Sequence, residues 1–178
     1  GTTGALDAEH GTLTVLADGT WSFEPADALT HIGGAPLDAT FSYTLRDTDG
    51  DISNFASQPV SVTDTAPVAL DDDAVALAEG ATAASGNVVT NDTPSADGDT
   101  MINSFTYTDV LGDATVAAFV EGGVATITVG TPTGTLSVSL DGSWSFTPDP
   151  TFDHDAPGAD AAAGSFTYIL RDADGSLS

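Results

Sequence analysis

Aspartates in this chain are grouped where several carboxylate oxygens can be aimed at one point. Asp47-Thr-Asp49-Gly-Asp51 is one such group, and it has a copy, Asp172-Ala-Asp174-Gly175, in which Ser176 replaces the third acid. A second group is the run Asp71, Asp72 and Asp73, with Asp64 just upstream. The third is Asn91-Asp92-Thr-Pro-Ser-Ala-Asp97-Gly-Asp99. Alternate acids around a glycine turn suit a hard cation that takes about six to eight oxygen ligands, which favours calcium; magnesium rarely uses an all-protein carboxylate cage. None of the groups is an EF-hand loop, because Gly50 comes too early after Asp47 and no bidentate Glu closes the turn.

The charge balance makes the same demand. The 178 residues hold 27 acids, two arginines and no lysine, a formal charge of −25. Such a field repels nucleic acid and anionic membrane surfaces, so neither is an expected partner. It also opposes compaction, since carboxylates crowded on a small domain repel one another until cations neutralise them. Yet 40% of residues are hydrophobic, too many for a disordered acidic tail. A folded protein with calcium ions as structural parts reconciles the two. The arginines, Arg46 and Arg171, each precede an Asp-x-Asp-Gly turn, where a local ion pair or hydrogen-bond fork to the neighbouring carboxylates is expected.

The positioning elements read as short β-strands. The chain writes one segment twice: Gly11-Thr-Leu-Thr-Val-Leu-Ala-Asp-Gly-Thr-Trp-Ser-Phe-Glu-Pro25 returns as Gly134-Thr-Leu-Ser-Val-Ser-Leu-Asp-Gly-Ser-Trp-Ser-Phe-Thr-Pro148. Phe41 to Gly50 returns as Phe166 to Gly175. The spacing of about 124 residues is one small β domain rather than one solenoid coil. Leu13 and Val15, then Asp18-Gly19, then Trp21 and Phe23 predict a hairpin with an Asp-Gly turn, repeated at Leu136 to Phe146. Phe41, Tyr43 and Leu45 predict another strand, as do their copies Phe166, Tyr168 and Leu170. Val60 with Val62, Val75 with Leu77, Phe105 with Tyr107, and Ile127 with Val129 supply more. Both tryptophans alternate with phenylalanines and are expected in a core. The Ala-rich stretch 160–163 reads as a loop. Seven or more short strands per repeat predict an all-β fold: tandem immunoglobulin-like or cadherin-like antiparallel sandwiches.

Residues 1–63 read as the C-terminal half of one repeat, 64–70 as a linker around Pro67, and 71–178 as most of a second repeat. The second repeat has no counterpart of Asn54 to Val62, so an open sheet edge and self-association through it are expected. No cysteine is present to form a disulfide, a role calcium can take over in an extracellular protein.

The same residues resemble a known family. Asn87-Val-Val-Thr-Asn-Asp-Thr-Pro-Ser-Ala-Asp-Gly-Asp-Thr100 resembles the signature of cadherin-like bacterial repeats, although Pro94-Ser95 replaces the usual acidic spacing. Gly11 to Phe23 with Phe41 to Gly50 resembles VCBS-type repeats, and Ala66-Pro-Val-Ala-Leu-Asp-Asp-Asp73 resembles their domain opening. Such repeats build the extender regions of large RTX-type adhesins exported by type I secretion. The resemblance implies an extracellular module at the bacterial cell surface whose partners are neighbouring repeats of the same chain. It further implies interdomain ions shared by Asp47 and Asp49 with Asp71 to Asp73, and ions within the domain held by Asp92, Asp97 and Asp99.

The expected function is therefore a calcium-stabilised extender that projects adhesive regions for attachment or biofilm formation. A carbohydrate- or surface-binding sandwich and a strand-exchange polymer subunit are the alternatives. An enzyme is not expected: there is no Cys or Lys, and His10, His31 and His154 have no repeat-equivalent His and read as surface or loop residues.

Overall fold

The computed structural model describes residues 10–27, 29–77, 81–109, 112–151 and 164–178. The chain forms two compact units, Gly1–Thr65 and Ala66–Ser178. The stretch 160–163 and His154 lie outside the described residues.

Among its described residues unit 1 contains two antiparallel hairpins. In the first, β1 (Gly11–Val15) pairs with β2 (Trp21–Pro25); in the second, β3 (Leu37–Tyr43) pairs with β4 (Ala56–Val62). A short 3₁₀ turn at Ile32–Gly34 lies between them. The first hairpin turns at Asp18-Gly19 as expected, in a three-residue loop between Leu16 and Thr20. The Gly19 N–H returns to Leu16 O at 3.0 Å, and Gly19 sits at φ 89°, while Asp18 keeps negative φ and accepts from Thr20 N–H through its side chain. A type I turn followed by a left-handed glycine explains why Gly must follow Asp.

Among its described residues unit 2 carries seven strands: β5 (Ala84–Asn87), β6 (Met101–Thr108), β7 (Ala114–Ala118), β8 (Thr126–Thr131), β9 (Gly134–Ser139), β10 (Ser143–Pro148) and β11 (Ser165–Arg171). They form one sheet of order β5-β10-β9-β8 and a second of order β11-β6-β7, both antiparallel. Leu136 and Val138 of the first sheet meet Ile102, Phe105, Tyr107 and Leu170 of the second in one core, closed by Val88 and Phe119. Ile102 and Phe105 differ by an odd number of residues and would point to opposite faces of a regular strand. The register shift between Ile169 and Leu170 skips Asn103, so both face inward. This is the expected all-β, immunoglobulin-like sandwich.

The internal repeat is physical as well as textual. Gly11 faces Pro25 and Val15 faces Trp21, as Gly134 faces Pro148 and Val138 faces Trp144. Trp21 meets Phe41 edge-on at 5.4 Å, and Trp144 meets Phe166 edge-on at 6.0 Å. The environments then diverge. Trp144 lies beneath β5, where a Cβ on Gly86 would sit 2.9 Å from the indole nitrogen. Among the described residues β2 has no such neighbour strand, and Trp21 stays 40% exposed, against the expectation of a core residue.

Val75 and Leu77 form no strand, contrary to their alternation, and both are exposed. Side chains take the backbone groups just upstream: the Leu70 N–H donates to Asp92, and Asp71 O accepts from Asn91.

Candidate metal centres

The Asp-x-Asp-Gly hairpins have the same backbone in both units. Asp47 Oδ1 accepts from the N–H groups of Gly50 and Asp51 at 3.0 and 2.8 Å; Asp172 Oδ1 accepts from Gly175 and Ser176 at 3.0 and 2.8 Å. Each turn is tied below by a bridge, Arg46 with Ile52 and Arg171 with Leu177. Gly50 and Gly175 take φ near 100°, which a side chain would strain. Among the described residues neither arginine makes the expected ion pair. The Arg46 guanidinium instead lies over Gly50, where a Cβ would be 3.4 Å from Nη2.

The two hairpins differ in surroundings. Asp47, Asp49 and Asp51 are exposed and bring carboxylate oxygens within 4.8 Å of one another. Contact with Asp49, followed by backbone N–H donors, holds the Asp47 carboxyl below the usual carboxylate range. Asp172 is only 3% exposed. Burial, then contact with Asp174, pushes its carboxyl up despite its backbone donors.

Tyr168 organises a second oxygen cluster in unit 2. Its hydroxyl oxygen lies 2.9 Å from Val88 O, 3.1 Å from both Asp92 oxygens, 3.2 Å from Leu70 O and 3.3 Å from Asp72 Oδ2. One phenolic proton cannot serve five acceptors. Burial, then Asp92, holds that proton well above the ordinary phenol range. The Asp72 carboxyl is also pushed up, by desolvation first and then by the charges of Asp92, Asp71 and Asp73, against the Tyr168 hydrogen bond. Such a set of carbonyl and carboxylate oxygens is the kind of donor that a calcium ion takes.

The three acidic groups of the sequence are thus regrouped in space. The Asn91–Asp99 loop splits: Asn91 and Asp92 hold the 70–72 segment, while Asp97 brings a carboxylate oxygen within 4.8 Å of one from Asp174. Asp73 and Asp99 are exposed, and Asp99 takes φ 45°. In unit 1, Asp64 Oδ1 is 3.8 Å from His31 Nδ1. His31 is buried rather than on the surface, its Nδ1 also 2.9 Å from Leu29 O.

A family model described as the bacterial Ig domain matches residues 1–63 and again 64–178. The chain belongs to the bacterial Ig domain family. A search of curated proteins finds no match. Bacterial Ig domains are typically structural rather than enzymatic and are commonly extracellular surface modules. No helix among the described residues of this bacterial Ig domain pair is long and apolar enough to cross a membrane.

Sequence reasoning missed Tyr168 as a site residue, because the Phe-x-Tyr-x-Leu alternation marks it only as a strand position. Its repeat equivalent, Tyr43, is 42% exposed. Replacing Tyr168 by Phe in calcium-free buffer is expected to destabilise unit 2 by about 1–2 kcal/mol, since the acceptors lose their one shared donor. Urea unfolding in EDTA measures it, and an unchanged midpoint would show that the hydroxyl holds nothing.

Proposed function

We propose that this bacterial Ig domain chain is a calcium-stabilised extender segment of a bacterial surface adhesin, a load-bearing spacer rather than a catalyst. The observation that carries the reading is the cluster around Tyr168: carbonyl oxygens of Leu70 and Val88 and carboxylates of Asp72 and Asp92 converge on one hydroxyl in a chain of charge −25. A divalent cation there relieves the surplus of acceptors and ties the segment 70–72 to β11. The cadherin-like and VCBS-type motifs add an RTX-type adhesin as the parent and the extracellular face of the cell as the location. A spacer of this kind is most stable where calcium is plentiful, as it is outside the cell.

Terbium luminescence tests the ion at this cluster. Terbium substitutes for calcium, and a ligand-distance tyrosine transfers excitation to it. The full chain is expected to sensitise terbium emission, calcium to quench it by displacement, and Tyr168→Phe to remove most of it. Emission that ignores calcium, or that survives in Tyr168→Phe undiminished, would place the ion elsewhere.

A further inference from the structure

We infer that Asp97, Asp172 and Asp174 supply carboxylate ligands to one divalent-cation site in unit 2. The inference deepens the calcium reading above and rests on it, but concerns a different centre from the one around Tyr168.

Three observations converge. Asp97 and Asp174, 77 residues apart by subtraction (174 − 97), offer carboxylate oxygens within 4.8 Å of one another. Asp172 contacts Asp174 and is 97% buried, the complement of its 3% exposure. Its Oδ1 takes the two turn N–H groups, while Oδ2 is buried with no hydrogen-bond donor. A buried carboxylate oxygen that faces another carboxylate without a donor is costly unless a cation supplies the missing positive charge.

The repeat shows what is special here. The unit 1 hairpin gathers three acids from a single loop, Asp47, Asp49 and Asp51, all exposed. In the unit 2 hairpin Ser176 takes the place of the third acid, and Asp97 brings a carboxylate to Asp174 from the β5–β6 connection. That connection turns sharply, with Gly98 at φ 71° followed by Asp99 at φ 45°. Ser95, two residues before Asp97, is buried, and its Oγ has no hydrogen-bond partner. A cation at this point would join the β5–β6 connection to the turn after β11, linking elements of both sheets.

Calorimetric calcium titration of the full chain tests the site, with Asp97→Asn, Asp172→Asn and Asp174→Asn compared with Asp51→Asn in the other hairpin. Asp172→Asn keeps an oxygen for the turn N–H groups, so the hairpin can close, and Asp97→Asn changes no residue of the hairpin itself. Far-UV circular dichroism verifies that each variant keeps its β content. The three variants are expected to weaken the same binding step at least tenfold, and the double variant Asp97→Asn/Asp172→Asn to weaken that one step further while leaving the others unchanged. Asp51→Asn should leave that step intact. If the chain binds calcium but Asp97→Asn leaves every step unchanged, this site is wrong while the calcium reading stands. A chain that binds no calcium overturns both, leaving Asp172 and Asp174 as a pair that shares a proton.

Discussion

Replacing Phe105 by Ala is expected to destabilise unit 2 by about 3–5 kcal/mol, the usual cost of deleting a buried aromatic ring and leaving its cavity. Phe105 is 1% exposed and sits where both sheets meet, its ring 6.3 Å from those of Phe119 and Phe166. Phe166 in turn packs edge-on against Trp144, so the ring removed supports the contact that fixes β10 over β11. Little can collapse into the space, because Ile102, Val138 and Leu170 are already fully buried. Phe55→Ala provides the comparison: Phe55 is 77% exposed, and the change should stay within about 0.5 kcal/mol. Urea unfolding in saturating calcium, followed by tryptophan fluorescence, gives both values. A loss below about 1 kcal/mol at Phe105 would mean that the core is not where the two sheets place it.

Gly134→Ala is the second large effect. A Cβ at this position would land on the carbonyl oxygen of Thr147, 2.8 Å from the Phe146 ring and 3.0 Å from Pro148 Cα. Two of those three obstacles are backbone and cannot rotate away. The β9–β10 ladder must therefore open at its end, at a cost of about 1–3 kcal/mol for overpacking alone. Gly11 meets the equivalent atoms of Glu24, Phe23 and Pro25, so Gly11→Ala should disturb β1–β2 in the same way. Gly130→Ala is the control: nothing lies within 4 Å of its would-be Cβ, and the effect should be close to zero or slightly stabilising. Equal midpoints for Gly134→Ala and Gly130→Ala would contradict the ladder register.

Much of the fold was legible because hairpins are local. Leu13 to Phe23 carries its own alternation and turn chemistry, and a copy elsewhere in the chain supports the reading. The β5 strand escaped notice since Ala84-Ser-Gly-Asn87 has no apolar alternation; it is held by pairing with β10 and by the room that Gly86 leaves for Trp144. Val75 and Leu77 misled for the converse reason. Their alternation is real, but residues 71–77 join no strand and both side chains are exposed. The acids were visible as ligand material, while their grouping was not. Asp97 belongs with Asp174 and Asp92 with Tyr168, pairings made by the sandwich across 76–77 residues of chain. His31 looked like a loop residue because burial beside Asp64 leaves no trace in its neighbours in sequence.

The central claim is that calcium is a structural part of this acidic chain, and a thermal melt tests it most directly. The full chain is melted in EDTA, then across a calcium titration, with magnesium as control. At a module affinity of about 10⁻⁴ M and roughly 10 mM calcium, one occupied site adds on the order of 2.7 kcal/mol. A rise in Tm on the order of 10 °C is therefore expected, larger if several sites fill together, and magnesium should give little of it. A melting temperature that is the same in EDTA and in calcium, or one that magnesium raises equally, would contradict the account.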